Sequence, residues 1–184
     1  MQTIATLVCT CWLLWPAVLS AVVTVGEVRL PEELVVAGHP LGLNGYGVRK
    51  AWLTPLYVVA LYLPQRSAEV RYIQDAEVPK ALRVEVAYGG SHPSDVPATW
   101  QAELYPQLTE GEITQLQQAY ARMTKGDVLL ISYEPGRGTH MQLNEWPLIA
   151  THGPGLMTAF LDLWIGARPV SQDLRRLLLD RAAD

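Results

Sequence analysis

A chain of 184 residues with 49% hydrophobic and 17% charged side chains holds one domain with a short extra segment, and can bury a proper core. Its net charge of −4, with no basic run and no Lys/Arg stripe, excludes the electrostatics of a nucleic-acid partner. Its only cysteines, Cys9 and Cys11, lie in that first segment, so a chain without it has no disulfide, thiol nucleophile or cysteine-bound metal.

No charged side chain occurs before Glu27. Ile4 to Leu14 is apolar enough for the core of a signal peptide, Pro16 breaks the run, and Ser20 or Ala21 offers a small residue for cleavage. The pattern predicts an export signal over residues 1–21, a folded domain over 22–184 and a periplasmic or secreted location. The alternatives are an uncleaved anchor, which is the one route to a membrane expected here, and a buried N-terminal element. Val8 before Cys9 is not the small residue expected before a lipid-modified cysteine.

From Val22 to Pro40, β-branched runs broken by Gly26, Pro31 and Gly38 predict one or two strands at a sheet edge. The glycine-rich Leu41 to Gly47 reads as a turn. Val48 to Trp52 and Tyr57 to Leu63 read as a hairpin bent at Leu53-Thr54-Pro55. The second strand has no charge on either face, so it is expected to be covered on both sides. Ser67 is expected to cap a short helix with Val70 and Ile73 or Tyr72 inward.

Lys80 to Tyr88 alternates Leu82, Val84, Val86 and Tyr88 with Arg83, Glu85 and Ala87, which predicts an antiparallel strand with one packed and one wet face. Ser94-Asp95, with Pro97 in the first turn, begins a helix carrying Trp100 and Leu104. Thr109 to Glu112 fits a capping box for a helix with Ile113, Leu116, Tyr120 and Met123 inward. Strands follow over 127–133, 139–143 and 146–150. A deeply packed helix over 156–165 ends at Gly166. Ser171 caps a last helix with Leu174, Leu177 and Leu178 inward and Arg175, Arg176 and Arg181 outward. The irregular order of strands and helices makes the chain α+β.

Chemistry-bearing motifs are sparse. His39, His92, His140 and His152 lack helical metal-ligand spacing, no G-x-S-x-G elbow is present, and no paired carboxylates can be argued. Neither a metal nor a cofactor is expected, and no residue is assigned a catalytic role. Trp100, Tyr105, Tyr120, Phe160 and Trp164 fall on helices that pack against the sheet, as core or as the lining of a cavity. Arg49 is the basic residue placed to face inward. With an even residue sum across the hairpin, Tyr57 falls close to opposite it, and a guanidinium beside a phenol can bind a carboxylate. The alternatives are an Arg49 paired to an internal carboxylate or to backbone carbonyls, or one facing solvent.

Four stretches in order, NGYGVRK (44–50), PLYVVALYLP (55–64), KGDVLLISYEPGRGT (125–139) and FLDLWIGARPVSQDLRRLLL (160–179), resemble the exported bacterial branch of the chalcone isomerase-like proteins. The resemblance covers nearly all of the chain after the first segment. It implies an open-faced β-sandwich: a large antiparallel sheet, a layer of helices on it and a ligand cleft between them. It also implies that Arg49, the arginine of G-x-G-V-R, points into that cleft. Isomerases of the family hold a substrate oxyanion with this arginine, and the fatty-acid-binding relatives hold a carboxylate with an arginine and a tyrosine.

Tyr57 stands where the isomerases carry an active-site threonine, and Leu82 to Tyr105 offers no counterpart for their lysine, asparagine and second tyrosine. Loss of those groups removes electrostatic support for ring closure. The expected function is therefore non-catalytic binding of a small amphipathic, fatty-acid-like carboxylate by Arg49, Tyr57 and Trp100. An intramolecular lyase of the chalcone–flavanone isomerase type and an envelope interaction or scaffold protein are the alternatives. No particular protein partner is implied.

Overall fold

A computed structural model describes residues 21–90 and 95–180. The expected export segment up to Ser20, both cysteines, His92, Ser94 and Arg181 lie outside the described residues.

The first part of the chain makes more strands than its sequence suggests. β1 (Val22–Val25) and β2 (Val28–Pro31) form a separate hairpin, turning at Gly26 with φ 62°. β3 (Glu33–Val36) is the edge of the main sheet, as its short length and neighbouring proline allow. β4 (His39–Ala51), β5 (Thr54–Leu63), β6 (Lys80–Val86), β7 (Val128–Glu134), β8 (Gly138–Leu143) and β9 (Trp146–Thr151) follow in chain order. Every neighbour in this seven-stranded sheet is antiparallel.

Helices enter between and after the strands. α1 (Val70–Gln74) joins β5 to β6. The β6–β7 connection carries α2 (Ala98–Leu104), a 3₁₀ turn and α3 (Glu110–Arg122), while α4 (Gly155–Ile165) and α5 (Gln172–Asp180) follow β9. This is the expected α+β arrangement of a large antiparallel sheet under a helical layer.

β5 is covered on both faces, as its lack of charge requires. Val59, Leu61 and Leu63 pack with Leu82, Val84, Ile131 and the helices. Val58, Ala60 and Tyr62 pack on the other side with Val28 and Leu30 of the β1–β2 hairpin, and the Tyr62 hydroxyl donates to the Pro31 carbonyl at 3.0 Å. Each fully buried Leu or Val here contributes about 1.5–3 kcal/mol. Arg83 and Glu85 share the other face of β6, where they pair at 2.6 Å and are mostly covered, so that face is drier than simple alternation predicts.

α3 begins with the expected capping box between Thr109 and Glu112. α4 lies between the sheet and the other helices, which is why it is apolar nearly all round and buries Phe160, Leu161, Leu163 and Trp164. Ser171 caps α5, its Oγ accepting from the Leu174 N–H at 3.2 Å.

Four expectations fail for local reasons. α2 starts at Ala98 with Pro97 as its N-cap, later than the expected start at Ser94-Asp95. Leu41 to Gly47 is not a turn but half of the long strand β4. Its glycines let α5 approach the sheet: a Cβ on Gly45 would run into the Leu178 carbonyl, and one on Gly47 would sit 2.6 Å from Leu174 Cδ1. Ser67 does not cap α1. Its Oγ accepts from the Glu69 N–H in a local turn, and its own N–H donates to Asn44 Oδ1. Leu177 is half-exposed, because α5 turns Leu174, Leu178 and Leu179 into the core.

Candidate ligand cavity

The site is built on the β4–β5 hairpin. The chain reverses in a two-residue turn at Trp52-Leu53, earlier than the expected bend, with Ala51 opposite Thr54 and Lys50 opposite Pro55. Leu56 then bulges out of register, and Arg49 falls directly opposite Tyr57. A two-residue turn plus one bulged residue thus gives the same parity as a three-residue loop. The pairing expected from the sequence is present.

A second bulge at Asn44, on the opposite strand, restores the register. Between the bulges Gly45, Gly47 and Arg49 share the helix-facing side with Tyr57, Val59 and Leu61. Beyond it Leu43 turns to the back with Tyr62. Asn44 is fully buried. Its Nδ2 donates to the Leu178 carbonyl at 2.9 Å and the Ser67 carbonyl at 3.1 Å, which ties the end of α5 to the strand that carries Arg49.

Tyr57 stands among aromatic rings. Trp100 from α2 meets it edge-on at 5.9 Å between centroids, and Trp164 from α4 at 6.2 Å. Trp100 also packs edge-on against Phe160 and Trp164, which stack on each other. The Trp164 Nε1 donates to the Tyr57 hydroxyl at 3.0 Å. An indole N–H can only donate, so the phenol keeps its own proton for a second partner. Burial pushes the Tyr57 hydroxyl up to about 12, with Tyr120 adding to the rise, against the Trp164 hydrogen bond and the Arg49 charge. It is a neutral donor across the physiological range, unsuited to act as a base.

Beside this ring cluster lies a cavity of about 370 Å³, lined by Tyr57, Trp100, Tyr120, Met123, Val84 and Val86 among others. Its size falls in the ~300–1,000 Å³ range of small-molecule sites, and its walls are apolar with a few phenol hydroxyls. Of the sequence-expected residues, Tyr57 and Trp100 line it. Arg49 does not: it is half-buried beside Tyr57, and its Nη1 donates to the Lys50 carbonyl at 2.8 Å. Among the described residues no carboxylate comes within salt-bridge distance of it.

Eight of the lining residues lay outside the expected ligand set, and two of them did so for different reasons. Tyr120 was legible as an inward aromatic on α3, whereas Leu56 reaches the cavity only through its bulge, which no residue pattern announces. Phe160 and Trp164 are core rings that support the cavity and do not line it. His39, His140 and His152 are exposed.

Known proteins share this fold. The crystal structure of an Arabidopsis thaliana fatty-acid binding protein superposes with a TM-score of 0.60, covering 89% of this chain and 98% of that one at 15% identity. At that identity the likeness establishes the fold. No curated protein matches by sequence. The family described as chalcone isomerase-like matches residues 22–180, and a match over that much of the sequence, on this sheet and helical layer, makes the chain a member of the chalcone isomerase-like family.

Proposed function

We propose that this protein binds a small amphipathic carboxylate, such as a fatty acid, without chemical turnover. The acyl chain occupies the apolar cavity and the carboxylate sits at its rim between Arg49 and Tyr57. The observation that carries this reading is a neutral phenol with a proton to give, held opposite an arginine that pairs with no carboxylate among the described residues, beside an apolar cavity of about 370 Å³. A carboxylate there exchanges the Lys50 carbonyl for charge-assisted hydrogen bonds at one end and buries methylene groups at the other. The fatty-acid binding protein that shares this fold supports the choice of ligand class.

Turnover as an intramolecular lyase is the weaker reading. The phenol at the site is held too firmly protonated to serve as base, and the polar groups that resemblance to the isomerases calls for have no counterpart in Leu82 to Tyr105. The uncharged stretch before Glu27 supports export to the periplasm or beyond.

Native mass spectrometry of protein purified from cells tests the proposal. A co-purifying acid, lost on Arg49→Ala, is expected. An empty cavity in both proteins, with no affinity for added acids, overturns it. One observation favours a second reading, a scaffold role with a structural Arg49: the guanidinium already has a backbone partner. In that case Arg49→Ala lowers thermal stability and leaves acid affinity unchanged.

A further inference from the structure

Trp52 and Leu53, at the tip of the β4–β5 hairpin, are 99% and 93% exposed. Nothing in the fold explains them. A turn position of this kind is ordinarily polar, and Trp52 also takes a left-handed φ of 57°, which a bulky side chain adopts only under strain. Strain and apolar exposure at the same residue point to a use outside the folded chain.

The surroundings define that use. From Arg49 to Leu56 the hairpin end carries two cations, half-buried Arg49 and exposed Lys50, and no carboxylate; Glu27 and Glu85, which line one groove with Lys50, are paired with Lys125 and Arg83, and exposed Glu145 adjoins Trp146. The strands alternate in direction, so the β8–β9 hairpin points to the same end of the sheet, where Trp146 is 77% exposed. The cavity lies at this end too, and Leu56 links its wall to the tip. Exposed Trp and Leu with adjacent basic residues suit the boundary between lipid headgroups and acyl chains. A protein partner would not require the cations, whereas an anionic bilayer surface does.

We infer that the Trp52-Leu53 tip docks this protein on an anionic lipid bilayer, with Trp146 as a second contact, and brings the cavity end of the sheet to the membrane. Among the described residues no helix is long and apolar enough to cross a membrane. This goes beyond ligand binding, and its test needs no bound acid.

The full chain is mixed with vesicles of equal parts phosphatidylcholine and phosphatidylglycerol and separated by flotation. The wild type is expected to float, and Trp52→Ser with Leu53→Ser to reduce the bound fraction about tenfold. Trp52→Gly should reduce it as well, while raising the melting temperature, because glycine adopts the turn without strain. That opposition separates docking from folding. Quenching by brominated lipid is measured in parallel, and the wild type minus Trp52→Ser difference isolates Trp52, which attachment elsewhere in the chain would not mimic. No quenching difference, or self-association through the tip with no vesicle-dependent signal, overturns the inference.

Discussion

The Tyr57 hydroxyl accepts the Trp164 indole N–H at 3.0 Å, so a residue on β5 and one on α4 hold each other at the place where sheet and helices enclose the cavity. Tyr57→Phe leaves that indole donor without its partner in a dry environment, at about 1–3 kcal/mol. For a chain of this length that is a fall of about 2–8 °C in melting temperature. Acid affinity should fall as well, about tenfold, because the phenol donor is gone. Thermal unfolding and a binding titration on the same variant read both effects. Trp164→Phe should lower stability and spare more of the affinity.

Chain length offers a second test. Each added methylene in an n-alkyl acid series contributes up to ~0.8 kcal/mol while it is buried, about fourfold in Kd. The gain should stop once the cavity is filled. Trp100→Leu removes part of the wall and should move that limit to longer acids, while destabilising the fold by about 2–4 kcal/mol. A series with no length dependence in either protein would mean that the acyl chain lies elsewhere.

The ends of the glycine-rich strand are predicted to differ in tolerance. Gly45→Ala drives a methyl group into the backbone of α5 at Leu178 and should cost about 3 kcal/mol or detach the helix end. Gly47→Ala meets side-chain atoms of Leu174 and Leu177, which can shift, and should cost about 1 kcal/mol. Denaturant unfolding of the pair checks the ordering.

The two-residue turn between β8 and β9 has Asn144 at φ 50° and Glu145 at φ 71°. Asn144 is suited to this: its Oδ1 accepts from the Val128 N–H and its Nδ2 donates to Asp127. Glu145 has no such compensation in its backbone angles. Glu145→Gly should stabilise by about 0.5–1 kcal/mol, read as a rise of about 1–4 °C in melting temperature.

Stability should rise and then fall on the alkaline side. Lys80 is buried, its ammonium donates to the Asp75 carbonyl at 2.6 Å and lies over the Tyr133 ring, and burial lowers it to about 8 against the Asp75 charge. Between that value and the ordinary lysine range the unfolded chain holds the extra proton, so stability increases with pH there, by on the order of 1 kcal/mol. Tyr57 and Tyr62 are both raised to about 12, chiefly by burial. Between about 10 and 12 the folded chain holds the extra protons, and stability decreases with pH. Lys80→Met should remove the rising limb and leave the falling one, in urea titrations at stepped pH.

Periodicity showed the strands whose packing depends on local pattern. β6 and β5 could be read directly, as could the α3 capping box, because alternation, missing charge and Thr-x-x-Glu each have one physical cause. The glycines of β4 could not, since Gly more often marks a turn than a strand on which a distant helix rests. Arg49 and Tyr57 were placed together by parity alone, yet the hairpin reaches that parity by a shorter turn and a bulge. The end of the arginine side chain, on the Lys50 carbonyl, has no sequence signature. The cavity has none either: it is the space left where α2 and α3 meet β5, β6 and β7, and depends on packing between segments far apart in the chain.

Acid recognition requires Arg49 to read a carboxylate, and calorimetric titration of lipid-stripped protein with a fatty acid and the alcohol of equal length measures this. The acid should bind about 10–100-fold more tightly than the alcohol, the gain from charge-assisted hydrogen bonds, and Arg49→Ala should erase the preference without abolishing alcohol binding. Equal affinity for acid and alcohol, or a preference that survives Arg49→Ala, would contradict it.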